Sequence, residues 1–247
     1  MPGTALPLGY LLLLAAPAIG SWLGVLIRRW PKGAPMVLGR SACEHCGRQL
    51  GTADLIPLLS FAWLRGRCRY CGSAIGWFHP GVEIAAFAVA ALAVVADGSG
   101  WTLVAHTALG WALLCAVWID AETLLLPDAI TLPLVLAGLA FTSLQNPDAL
   151  YDHAAAAALG YIGFRLLDEL YALVRHRHGL GEGDAKLLAG AGAWLGLAAL
   201  PSVILAAGLA GLLGALLLIR HGRSSAAPLP FGPALALGFF AICLMQR

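Results

Sequence analysis

Gly179-Leu-Gly-Glu-Gly-Asp-Ala-Lys186 is the stretch on which the reading of this chain turns. It sets a carboxylate, Asp184, beside the glycines Gly181 and Gly183 at the mouth of an apolar run. A second carboxylate, Asp120, closes another apolar run in Trp118-Ile-Asp-Ala-Glu-Thr-Leu-Leu-Leu-Pro-Asp128. Ionisable groups at the ends of apolar helices are expensive to keep and need a reason to be there.

The rest of the composition says what kind of helix these are. Of 247 residues, 60% are hydrophobic and 11% charged, where a soluble domain carries about 25% charged residues. The mean hydropathy is +0.82. So much apolar surface has no place in a water-soluble core, and the fold class expected is an all-α polytopic membrane protein. A net charge of +2 is too small to argue for nucleic acid.

Apolar runs recur at Pro7–Ile27, Gly81–Asp97, Trp101–Ile119, Ala129–Leu144, Ala154–Val174, Ala185–Leu200, Val203–Ile219 and Leu229–Met245. A spanning helix needs about 20 apolar residues, so about eight transmembrane helices are expected. The run after Asp184, short and rich in Gly and Ala, is the weakest of them. The first run has no Lys or Arg before it, and Arg28 and Arg29 follow it. That is the reverse of a secretory signal, so a retained helix is expected. Three parts follow: a first helix over 1–27, a polar segment over 28–80 and a multi-helix membrane domain over 81–247.

Lys and Arg set the orientation. With the N-terminus outside, the inner loops hold Arg28, Arg29, Lys32, Arg40, Arg48, Arg65, Arg67 and Arg69, then Arg175 and Arg177, then Arg220 and Arg223. The outer loops near Gly98–Gly100 and Gln145–His153 hold none. This puts Asp120 and Asp184 at the cytoplasmic ends of their helices, at one depth.

The polar segment contains Cys43-Glu-His-Cys46 and Cys68-Arg-Tyr-Cys71, with 21 residues between the pairs. Two C-x-x-C turns can grip one tetrahedral metal. A reducing cytoplasmic side disfavours the alternative of two disulfides. The expectation is a structural zinc, which would fold a segment too poor in aliphatics to make its own core. No fifth Cys or His is placed to make the site catalytic.

Around the two key acids several choices stay open. Asp120, Asp128 and Glu122 are all candidate partners for Asp184. Asp120 comes first because it is attached to a helix end, while Asp128 also suits an N-cap. Arg165 stands three and four residues before Asp168 and Glu169, so the three can pair along one helix face. The glycines of Gly-Glu-Gly-Asp allow close backbone approach, which an extended peptide substrate requires. The chemistry suggested is a shared catalytic water on an aspartate pair. The rival reading is a proton-coupled transporter, which would favour acids in mid-helix and repeated halves.

At this point the chain resembles the type IV prepilin peptidase family. The resemblance rests on Gly20-Ser-Trp-Leu, the paired Cys43/Cys46 and Cys68/Cys71, Ile56-Pro-Leu-Leu-Ser60 and His79-Pro-Gly-Val-Glu83. It continues through Asp120 with Leu126-Pro-Asp128, Gly181-Glu-Gly-Asp184 with Lys186-Leu-Leu, and Pro230-Phe-Gly-Pro233. The resemblance implies an enzyme of the bacterial inner membrane that cleaves the leader of type IV prepilins or type II secretion pseudopilins. It implies a second activity, methylation of the new N-terminal amine with S-adenosylmethionine. It implies Asp120 and Asp184 as the catalytic pair and associates Gly66 and the cysteine segment with methylation. The substrate's basic leader is expected to meet acids such as Glu122, Asp128 or Glu182.

Overall fold

The computed structural model describes residues 5–33, 39–97, 99–222 and 229–246. Arg223 and Gly98 of the loops above lie outside the described residues. The described residues are mostly helical and contain no strand beyond two isolated bridges. The chain divides into two compact units, Met1–Trp111 and Ala112–Arg247.

In the first unit, α1 (Ala5–Arg29) ends on Arg28 and Arg29, where positive charge complements the helix dipole. The short α2 (Leu59–Trp63) belongs to the cysteine segment. Helix α3 (Phe78–Asp97) returns against α1. A β-carbon on Gly20 would lie 2.7 Å from the Glu83 Cα, so glycine sets how closely α1 and α3 pack. Helix α4 (Gly100–Thr123) begins in this unit. Trp111 there donates its indole N–H to the Ala86 carbonyl of α3 at 2.9 Å.

The second unit contains the end of α4 and then α5 (Asp128–Gln145), α6 (Leu150–Arg175), α7 (Glu182–Leu195), α8 (Leu200–Arg220) and α9 (Gly232–Met245). Helix α7 is its centre, packed on α5, α6 and α9. Every residue from Asp184 to Leu195 except Lys186 is buried. The weakest apolar run in the sequence is therefore the core helix. Helices approach one another closely in a bilayer through small residues. A β-carbon on Gly192 would sit 2.5 Å from the Ala156 carbonyl carbon of α6. The leucines of α8, including Leu205, Leu209 and Leu212, are by contrast largely exposed, as lipid-facing side chains are.

The eight apolar runs fall mainly on α1 and α3 to α9, the sixth running past the end of α7 at Leu195 and the eighth beginning before α9. Five of the described helices are long and apolar enough to cross a membrane: 8–32, 78–97, 100–123, 128–145 and 197–220. Of the others, α6 has the length, 26 residues, but carries Arg165, Asp168 and Glu169. Helices α7 and α9 have 14 residues each.

Candidate active site

Asp120 occupies the last turn of α4. The chain then reverses through Leu124, held at a φ of +56°, with the Leu124 N–H donating to the Asp120 carbonyl at 2.8 Å. Pro127 starts α5. Asp184 stands in the first turn of α7 and accepts the Gly181 N–H on Oδ2 at 3.1 Å, which caps the helix. Asp184 thus caps its own helix, while Gly183 beside it packs against Leu126 in the loop after α4.

Two glycines make that approach possible. A β-carbon on Gly183 would fall 2.6 Å from the Leu126 Cβ. One on Gly232, at the start of α9, would fall 2.6 Å from Asp120 Oδ2 and 3.1 Å from Leu126 Cδ1. Leu126 is therefore wedged between the Gly183–Asp184 turn and the Gly232–Asp120 contact. Asp120 and Asp184 are 6% and 8% exposed, and the charge of Asp120 is felt at Asp184. Asp120 Oδ2 is buried without a hydrogen-bond partner. Two buried carboxyls within electrostatic reach do not both ionise readily, and such a pair can share one proton and activate a water.

The loop before Gly181 is held by Asp168, which is 2% exposed. Its Oδ1 accepts the N–H groups of Gly179 at 2.8 Å and Leu180 at 2.9 Å. Its Oδ2 lies 2.8 Å from His178 Nδ1. Arg165 reaches Glu169, at 3.4 Å, and not Asp168. The helix-face pairing expected from sequence is thus half right, because a loop with unpaired N–H groups competes for the second acid.

Lys186 bridges Asp128 at 2.7 Å and Glu182 at 2.8 Å. Asp128 makes no capping bond for α5, whose N-cap is Pro127. Two of the three acids expected to meet a basic leader are therefore already engaged by a lysine. Sequence reasoning singled out the stretches holding Leu126 and Gly232 but gave them no role, and it missed the loop-holding role of Asp168. The signal for Gly232 was a glycine between Phe231 and Pro233 at a helix start, where only a missing side chain allows such an approach.

The four cysteines come together, with sulfurs all within 4.8 Å of one another. Cys43 and Cys71 sulfurs are 3.9 Å apart, far beyond a disulfide bond of about 2.05 Å. The two knuckles repeat each other. The N–H of Cys43 donates to Arg48 O at 3.0 Å and that of Cys68 to Ser73 O at 2.8 Å. The N–H of Gly47 returns to Cys43 O and that of Gly72 to Cys68 O, both at 2.9 Å. Gly47 and Gly72 have φ of +68° and +71°, a conformation that closes the turn and favours glycine. The unit is therefore C-x-x-C-G, used twice. The Ser73 hydroxyl brings the Cys71 thiol down to about 6, and the Cys46 backbone N–H lowers Cys43. For Cys46 the Arg48 backbone N–H favours the thiolate, but desolvation and the neighbouring Cys43 and Cys71 push it up to about 11. Four thiolates this close need a cation to ionise together, and a tetrahedral zinc with bonds of about 2.3 Å suits the spacing. Gly66, at a φ of +69°, lies outside this set, and a β-carbon there would press on the Phe61 ring at 3.1 Å.

Comparison with known proteins agrees with the two units. Residues 14–96 match the bacterial peptidase A24 N-terminal domain, and residues 107–216 match the type IV leader peptidase family. The chain is 39% identical to a prepilin leader peptidase/N-methyltransferase of Aeromonas hydrophila, over 84% of this chain and 72% of the relative. It is 38% identical to the Burkholderia pseudomallei protein of the same name, over 95% and 85%. It is 35% identical to that of Pseudomonas aeruginosa, over 96% and 91%. No solved structure matches the chain.

Proposed function

The chain belongs to the type IV leader peptidase family, and we infer that it removes the leader of type IV prepilins or type II secretion pseudopilins and methylates the amine so exposed. Asp120 and Asp184 form the catalytic dyad. The observation that carries this assignment is the buried, unpartnered Oδ2 of Asp120, beside the α7 start that bears Asp184. The ionised member takes a proton from water as that water attacks the scissile carbonyl. The protonated member hydrogen-bonds the carbonyl oxygen, and the pair returns a proton to the leaving amine. Gly181 and Gly183 keep the turn narrow enough for an extended substrate backbone.

The apolar helices are set in the bacterial inner membrane with the N-terminus outside. Support comes from basic residues at the ends of α1, α6 and α8, namely Arg28 and Arg29, Arg175 and Arg220. On that orientation the dyad faces the cytoplasm, where the prepilin leader lies while the pilin helix remains in the bilayer. Residues 28–80 form the cytoplasmic segment, with a structural zinc on Cys43, Cys46, Cys68 and Cys71. When bound, S-adenosylmethionine would supply an electrophilic methyl group to the amine that cleavage exposes. Gly66 belongs to this second activity, and a side chain there would press on the Phe61 ring.

Mass spectrometry of a prepilin incubated with purified enzyme reads both steps. Wild type should give a leaderless, methylated product. Asp120→Asn and Asp184→Asn should each leave the leader in place while the protein remains folded. Normal cleavage by both variants would sink the dyad, and cleavage without the added methyl in wild type would reduce the enzyme to a peptidase.

A further inference from the structure

The stretch between the two cysteine pairs turns large apolar side chains outward. Ile56, Leu59 and Trp63 are exposed, Trp63 at 87%. Trp77, 73% exposed, stands directly before α3 and packs on Phe61 with ring centres 5.0 Å apart. Exposed apolar surface rimmed by polar residues marks an interaction site.

The position of this surface says what it meets. The Leu58 N–H donates to Glu83 Oε2 at 2.8 Å, and Leu58, at a φ of +59°, turns the chain there. Glu83 is five residues inside α3. Gly20, which meets Glu83, is eight residues before Arg28 in α1. At 1.5 Å per residue these positions lie about 7 Å and 12 Å from Phe78 and Arg28. Both helices are long and apolar enough to cross a membrane. The Ile56–Ser60 turn is therefore tied to the side of a membrane helix and does not hang below it. Interfacial elements bury their apolar side about 5–10 Å into the boundary between headgroups and acyl chains, a depth that includes the Glu83 level.

The charges suit the same boundary. The chain leaves α2 through Arg65 at a φ of +52° and Gly66 at +69°. Beyond that turn Arg65 and Arg67 line one open recess with Phe61, Ala62 and Trp77. Among the described residues neither arginine is in an ion pair, whereas Arg69 has Asp54 at 2.7 Å. A guanidinium matches phosphate oxygens with its fork of donors, and Trp is enriched where membrane meets water.

We propose that Ile56, Leu59, Trp63 and Trp77 rest in the inner leaflet, and that Arg65 and Arg67 hold the phosphate of an anionic phospholipid there. The proposal rests on the membrane reading of the chain, with residues 28–80 on the cytoplasmic side. The other apolar occupant to weigh is a pilin helix. Charge decides against it, because the two arginines repel a basic leader and attract an anionic headgroup. Helix α3 also continues the apolar surface past Glu83 with Ile84 and Phe87, both exposed.

Tryptophan emission tests the contact, since bromine on a lipid acyl chain quenches an indole that touches it. The full chain is placed in nanodiscs of phosphatidylcholine and phosphatidylglycerol, with brominated or ordinary acyl chains. Trp63→Phe and Trp77→Phe should each remove emission in ordinary lipid and remove little in brominated lipid, where those two indoles are already dark. Equal losses in both lipids overturn the proposal. Wild-type emission that bromine leaves untouched throughout overturns the membrane reading itself. Recovery of the Trp63 emission on adding a prepilin gives the surface to the substrate and overturns the lipid assignment. Native mass spectrometry reads the headgroup. Arg65→Gln combined with Arg67→Gln should lower retained phosphatidylglycerol, relative to phosphatidylcholine, by about tenfold. Unchanged retention overturns the phosphate contact.

Discussion

Gly232 lies so close to Asp120 that a β-carbon there would stand 2.6 Å from the Asp120 Oδ2. The contact joins the first turn of α9 to the last turn of α4. Gly232→Ala should therefore displace the Asp120 carboxyl by a good fraction of an ångström. Misplacement on that scale costs about 10²-fold in rate. Single-turnover cleavage of a prepilin should fall accordingly at an unchanged melting temperature. A variant with wild-type kcat would show that Asp120 tolerates the shift.

Asp168 supports the Gly179–Leu180 backbone with two hydrogen bonds. Asp168→Ala leaves both N–H groups without their partner, a loss of about 2–4 kcal/mol in stability if they stay buried. Chemical unfolding measures that loss. Hydrogen exchange should rise at residues 179–184 before it rises elsewhere in the second unit. Unchanged exchange there would mean the loop is held by something else.

The cysteine set should bind one zinc per chain, read by elemental analysis. Removing it, by chelator or by Cys68→Ser, should unfold the knuckle segment, since a structural zinc contributes about 10–16 kcal/mol to small domains of this kind. Methylation should then fail while cleavage continues. Retention of zinc by Cys68→Ser would argue against a four-sulfur site.

Lys186 neutralises Asp128 and Glu182, both more than half exposed. Lys186→Gln should release these acids to a basic leader and lower KM for prepilin by about threefold at low salt, within the 0–1 kcal/mol range of exposed ion pairs. The gain should disappear at high salt, where the Debye length shrinks to about 3 Å. A KM that rises instead would give Lys186 a direct part in holding the substrate.

What the sequence determined by itself is what depends on composition and short spacing. Low charge and long apolar runs require a membrane protein. Two C-x-x-C turns point to four cysteines able to hold one metal ion, because knuckle geometry is set by covalent neighbours. Asp120 and Asp184 stand out because an acid at the end of an apolar run is visible without any structure.

The tertiary structure decided the rest. Helix α7, the least convincing apolar run, is the core of its unit, since a helix enclosed by others needs small residues where a lipid-facing helix needs leucines. Asp168 turns to a loop and not to Arg165, because two unpaired backbone N–H groups outcompete a flexible partner. Gly232 meets Asp120 although 112 positions separate them in the chain. Periodicity has no term for such a contact: it exists only because Gly183, Leu126 and Gly232 let three helix ends close on one another.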